Sequence, residues 1–318
     1  VSIYNKLMRD IINFQKQIAT GRFTLPVTIL ICLLLWAFTL NGWNELGSLG
    51  IVALIGYLMI EANTTFTLIR TRTSLPVSIY WILATVLFFP HDFQWANLIP
   101  LAFLIAVMQL FQSYESSKPT TPIYNTFLIL GTCSLFFAPT VYYIPLFFIY
   151  MIPFRAFSLK SFGACVLGII TPYWFLFGYA FWEEQMQLFS APLKEIITFA
   201  PISYAYLHVN KIISWVFITL FLLINGIHYF QTAYSDKTRT RSYHFFLVYA
   251  GWWTTLLTVL VPQHLSVWIH IQCICAAFLG GHLFTLTRNR FSGIYFFVTF
   301  VIVILITLYN LWMLYFNS

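Results

Sequence analysis

Residues 292–316 read SGIYFFVTFVIVILITLYNLWMLYF. The stretch carries no charge and no period-two alternation, so it is not a strand of an outer-membrane barrel. A helix rises about 1.5 Å per residue, which makes this run long enough to cross a hydrocarbon core about 30 Å thick. Toward the N-terminus, runs of the same texture recur at 265–286, 244–262, 212–230, 162–182, 141–153, 122–138, 96–113, 76–90, 49–69 and 23–41. Those at 76–90 and 141–153 are short. The expected fold is all-α: a polytopic transmembrane helix bundle of about eleven spans, one transmembrane domain over 23–318 and almost nothing soluble.

Composition agrees. Of 318 residues, 60% are hydrophobic and 8% charged, too few charges to cover a soluble surface. The +7 net charge does not imply nucleic acid, because the cations sit in short loops where lipid headgroups are nearer. All five cysteines fall inside apolar runs, which fits neither a disulfide framework nor a zinc site. No glycine-rich phosphate loop or nucleophile elbow is present, so no cofactor and no metal are expected. The first apolar run is too long for a signal-peptide core and has no small-x-small cleavage site.

The cations set an orientation. Lys6, Arg9, Lys16, Arg22, Arg70, Arg72, Lys118, Arg155, Lys160, Lys237, Arg239, Arg241, Arg288 and Arg290 share one side of an eleven-span layout, leaving only Lys194 and Lys211 opposite. The positive-inside rule then puts the N-terminus in the cytoplasm and the C-terminus outside. Within 1–22, Ile3, Leu7, Ile11, Phe14 and Ile18 recur at helical spacing away from Lys6, Arg9 and Lys16. That pattern is an amphipathic helix for an anionic membrane surface. Segment 183–210 is expected to hold a second amphipathic helix, on the outer surface, with Tyr204, Tyr206 and Trp215 in the interfacial aromatic belt. Pro139, Pro145 and Pro153 predict a broken or kinked helix over 139–153.

Chemistry is sparse. Glu61 falls inside the 49–69 run, two residues before Asn63. A carboxylate there is a proton carrier, a substrate ligand or an acid/base group, or else a protonated side chain bonded to a neighbouring helix. The 265–286 run carries His270, Gln272 and His282, which relay protons or tie helices together. The outer face offers Glu45, Asp92 and His208 as further catalytic candidates, but no arginine to clamp a phosphate.

Two stretches resemble a known family. Tyr124-Asn125-Thr126-Phe127 through Ser134-Leu135-Phe136-Phe137-Ala138-Pro139 leads by Arg155 and Lys160 to Gly168 and Pro172, and Arg70-Thr71-Arg72-Thr73-Ser74-Leu75-Pro76 opens the third run. Together they resemble an uncharacterised family of multi-pass inner-membrane proteins from Bacteroidota, which implies a bacterial inner membrane. The layout is also distantly similar to polyprenyl-linked glycosyltransferases and polysaccharide polymerases. Those have a longer, acidic first outer loop, whereas here it is Asn41 to Ser48 with Glu45 its sole acid. The family supplies no catalytic residues to transfer.

Three functions follow as expectations. The first is a non-catalytic membrane subunit or scaffold of a cell-envelope assembly or export complex, with protein partners and anionic headgroups at the cytoplasmic face. The second is a transferase or flippase-like handler of lipid-linked glycan. The third is a proton-coupled transporter using Glu61.

Overall fold

The computed structural model describes residues 2–40, 42–86, 93–198, 202, 204 and 207–316. It is 84% helix, with no strand among the described residues. Among the described residues thirteen α-helices follow one another: α1 Ser2–Thr20, α2 Thr24–Thr39, α3 Asn44–Phe66, α4 Leu75–Val86, α5 Leu98–Gln112, α6 Thr120–Phe136, α7 Ile144–Tyr150, α8 Leu159–Trp182, α9 Met186–Ile197, α10 Val209–Thr232, α11 Thr238–Leu260, α12 Leu265–Leu286 and α13 Arg290–Phe316. All-α architecture is therefore what the apolar runs produce.

Six of these stretches are long and apolar enough to cross a membrane: Glu45–Phe66, Trp95–Gln112, Leu159–Trp182, Val209–Ser235, Pro262–Leu286 and Arg290–Leu314. A seventh arises if Arg9–Thr20 and Thr24–Thr39 count as one span, but they meet at 84°. The chain is thus a multi-pass membrane protein by the length and composition of its helices. The other expected spans are helical where described, but fall short of that test. The stretches Leu75–Thr85 and Ala138–Tyr150 are short. The latter opens as a 3-10 helix, Ala138–Tyr143, before α7, as Pro139 and Pro145 demand. Polar residues dilute α11, which begins with Thr238, Arg239, Thr240 and Arg241.

The described chain divides into two compact units, 1–93 with 203–318, and 94–202. In the first, α12 is the core. Of its most apolar window 94% is buried, against 22% for α13. It packs on α4, α10 and α11. Close approach depends on Gly281, where a methyl group would come within 2.5 Å of the Pro76 ring at the start of α4.

The amphipathic α1 docks on the end of this core. Buried Gln15 places its amide nitrogen 2.8 Å from the Phe284 carbonyl, 3.0 Å from that of Thr287 and 2.9 Å from Ser292 Oγ. It serves carbonyls that the last turn of α12 leaves without intrahelical donors. Thr73 Oγ1 donates to the Ala19 carbonyl at 2.6 Å, and Thr240 Oγ1 to that of Thr67 at 3.4 Å. These bonds gather α1, the 67–74 loop, the α10–α11 turn and the α12–α13 turn at one end of the unit. Arg70, Arg72, Lys237, Arg239, Arg288 and Arg290 are all in those segments.

In the second unit α6 packs along α8. A methyl group on Gly168 would meet the Tyr124 carbonyl oxygen at 2.8 Å and the Leu128 nitrogen at 3.0 Å, so only glycine allows this backbone approach. Tyr124 and Thr171 hydroxyls lie 3.3 Å apart, and those of Ser134 and Tyr173 2.9 Å. Residues 124–139, Gly168 and Pro172 therefore form or flank one helix seam. Beyond α8, the amphipathic α9 lies largely exposed.

Candidate functional site

The predicted candidates among the described residues are spread over α3, the start of α10 and α12. Asp92, with His91, lies outside the described residues, as does Tyr206. Glu45 is buried in the first turn of α3, where the helix dipole favours a carboxylate. Exposed His208 precedes α10. Glu61 is exposed on α3, and its Oε1 accepts from Thr65 of the same helix at 3.1 Å. It stands nearer the helix end than a 49–69 span implies, because α3 stops at Phe66 and Thr67 turns left-handed at φ 48°. Asn63 secures that ending: its Oδ1 accepts from Ile69 N at 3.1 Å and its Nδ2 reaches the Thr73 carbonyl at 3.5 Å.

On α12, the His270 ring nitrogen Nδ1 lies 2.6 Å from the Ser266 carbonyl. Gln272 donates to Thr255 Oγ1 of α11 at 2.9 Å. Trp215 likewise ties α10 to α11, donating to Thr258 Oγ1 at 3.1 Å.

His282 does converge with other chemistry. After α10 the chain makes a 3-10 turn, Ala233–Ser235, and Asp236 follows in extended backbone. His282 Nε2 lies 2.8 Å from Asp236 Oδ2, and the Tyr229 hydroxyl donates to the same oxygen at 3.3 Å. Their side chains are nearly sealed: 3% exposed for His282 and 4% for Asp236. The His244 ring stands 4.8 Å from that of His282 and 4.9 Å from Tyr229, stacked on the latter. His244 Nδ1 is 3.1 Å from the Thr240 carbonyl, so in the neutral ring Nδ1 carries the proton and Nε2 the lone pair. His244 Nε2 and His228 Nδ1 are buried without a hydrogen-bond partner among the described residues.

Burial acts to raise the Asp236 carboxyl. The hydrogen bond and positive field of His282, the field of His244 and the Tyr229 hydroxyl outweigh it, holding the group below the ordinary 3.8. Asp236 is therefore a buried carboxylate held by donors from α10 and α12. No group of three or more His, Cys, Asp or Glu among the described residues is arranged to hold a metal ion. The cluster can retain or pass a proton and can fasten the α10–α11 turn.

Hydropathy reading overlooks Asp236, Tyr229, His228 and His244. The one available signal is that Asp236 is the lone acid in a turn otherwise carrying Lys237, Arg239 and Arg241. No family model, curated protein or solved structure matches the chain.

Proposed function

We propose that this chain is a non-catalytic membrane subunit, a scaffold in a cell-envelope assembly or export complex of a bacterial inner membrane. In this reading it crosses eleven times, with its N-terminus in the cytoplasm, its C-terminus outside, and its basic turns against anionic headgroups. The observation that carries the proposal is the use made of intramembrane polar groups. Asn63, Gln272 and His282 each bond another part of the chain, fastening helix to loop or helix to helix. Polar residues so used act as glue between helices. Gentle extraction of the full-length chain followed by native mass spectrometry tests this. A stoichiometric complex with other membrane proteins is the expected result, and a 37.1 kDa chain alone would refute it.

A second reading, proton handling, has one specific observation in its favour: the sealed Asp236–His282 pair beside His244. An acid–histidine pair in or beside a membrane span can carry protons. Glu61, exposed on α3, is not part of it. Proton uptake by proteoliposomes that vanished in Asp236→Asn would favour this reading over the scaffold.

A further inference from the structure

The hydrogen bonds that seat α1 each have a cation beside them. Lys16 follows Gln15, Arg288 follows Thr287, Arg290 stands two residues before Ser292, and Arg72 precedes Thr73. All four of these residues are exposed. Among the described residues none of the four is in an ion pair. The acids of these segments are engaged elsewhere. Asp236 is bonded to His282 and Tyr229, and exposed Asp10 stands next to Arg9. Like charges gathered in this way repel one another, so seating α1 has an electrostatic cost that a bound anion offsets.

Position chooses the anion. Three candidate spans, Glu45–Phe66, Val209–Ser235 and Pro262–Leu286, finish at this end of the unit, and a fourth, Arg290–Leu314, begins there. Arg288 and Arg290 directly flank two of those span ends, and Arg72 lies in the loop that leaves a third. Cations so near the ends of apolar spans stand at the depth of lipid phosphates. α1 shares that level, since its Arg9–Thr20 stretch runs crosswise to Thr24–Thr39 at 84°. Near the opposite ends of the same four spans the sequence has one cation, Lys211. A second copy of the chain would bring only the same cations to this rim. An acidic protein segment would match its charge but not its place at the span ends.

We propose that the rim of Lys16, Arg72, Arg288 and Arg290 binds the phosphate groups of anionic phospholipids, and that the bound lipid holds α1 on α12. Three of the four are arginines, whose planar fork matches a phosphate. Lipid bound there cancels the repulsion between the 67–74 loop, α1 and the α12–α13 turn, and the bonds of Gln15 and Thr73 then close. The proposal rests on that part of the subunit reading which sets the basic turns against anionic headgroups, and adds which residues hold the lipid and what the lipid controls.

Titration of the chain, extracted in an uncharged detergent, with phosphatidylglycerol, phosphatidylcholine or inorganic phosphate tests this. Phosphatidylglycerol should raise the thermal midpoint, and the other two should not. Arg288→Gln with Arg290→Gln should weaken the apparent affinity for phosphatidylglycerol about five-fold per lost cation, the scale of one basic residue at an anionic surface. The midpoint of that variant in phosphatidylcholine should match the native one, which shows that it folds. Lys194→Gln, on exposed α9, should leave the affinity unchanged. Seating of α1 is read separately, from an Ile12→Cys thiol on the half-buried face against Gly293, which should react with a maleimide more slowly once phosphatidylglycerol is added. Equal midpoints in the two lipids, an undiminished affinity in the double variant, or an unaltered thiol rate would overturn the proposal. So would inorganic phosphate matching the lipid, or an acidic protein that copurifies with the native chain and not with a double variant whose lipid affinity is intact. A chain that keeps its protein partners but ignores phosphatidylglycerol would end this inference alone, and one that binds the lipid but has no partners would end the subunit reading alone.

Discussion

The sealed turn beside α12 and the exposed face of α3 each hold an acid, and they treat it oppositely. Asp236 is sealed and receives donors from two helices of its own chain. Glu61 is exposed and receives one, from its own helix. Within one polypeptide, then, the first group is completed across helices by folding and the second only within its own helix. The first should govern stability far more than the second.

Severing the sealed pair should break that contrast most forcefully. Asp236→Ala or His282→Ala leaves a buried partner uncompensated, at a cost of about 3–5 kcal/mol. Thermal unfolding in detergent checks this, and a loss below about 1 kcal/mol would mean the cluster is not what holds the turn. Gly281→Leu forces a side chain into Pro76, where overpacking costs about 1–3 kcal/mol. Gln15→Leu removes the donor from the α12 carbonyls and should cost about 1–3 kcal/mol, read in the same assay. A gentler test is acid. Because the folded Asp236 carboxyl titrates below 3.8, its stabilisation is complete above that pH. It fades as pH falls through the lower folded value, so native and Asp236→Asn stability curves should converge only in that acid range. The smallest effect belongs to Glu61→Leu, which should change the stability of the isolated chain by less than about 0.5 kcal/mol.

Much of the helix layout is legible in the sequence because lipid, like a core, selects apolar runs of helix length. The 292–316 run and α13 coincide almost residue for residue. The broken stretch at 139–153 was readable from its prolines, since proline removes a donor wherever it falls. What remained hidden depends on partners distant in sequence. His282 is recognisable as a polar residue on α12, but its acid lies 46 residues away, in a turn that hydropathy assigns to loop. The 49–69 run overshoots the end of α3 because Leu68 and Ile69 extend the apolar stretch after Thr67 has already turned the backbone. Amphipathicity announced α1, but the bonding of Gln15 to α12 has no local trace, since those residues are about 270 positions apart.

That last contact has a consequence for how the molecule is made. The unit built on α12 draws on stretches either side of residues 94–202, which form a continuous block. A ribosome completes the continuous block before it completes the other unit. Gln15 must wait, its amide unspent, until Phe284, Thr287 and Ser292 have left the tunnel. α1 is therefore made well before its seat on α12 exists, and it docks only after a long stretch of intervening chain has been laid down.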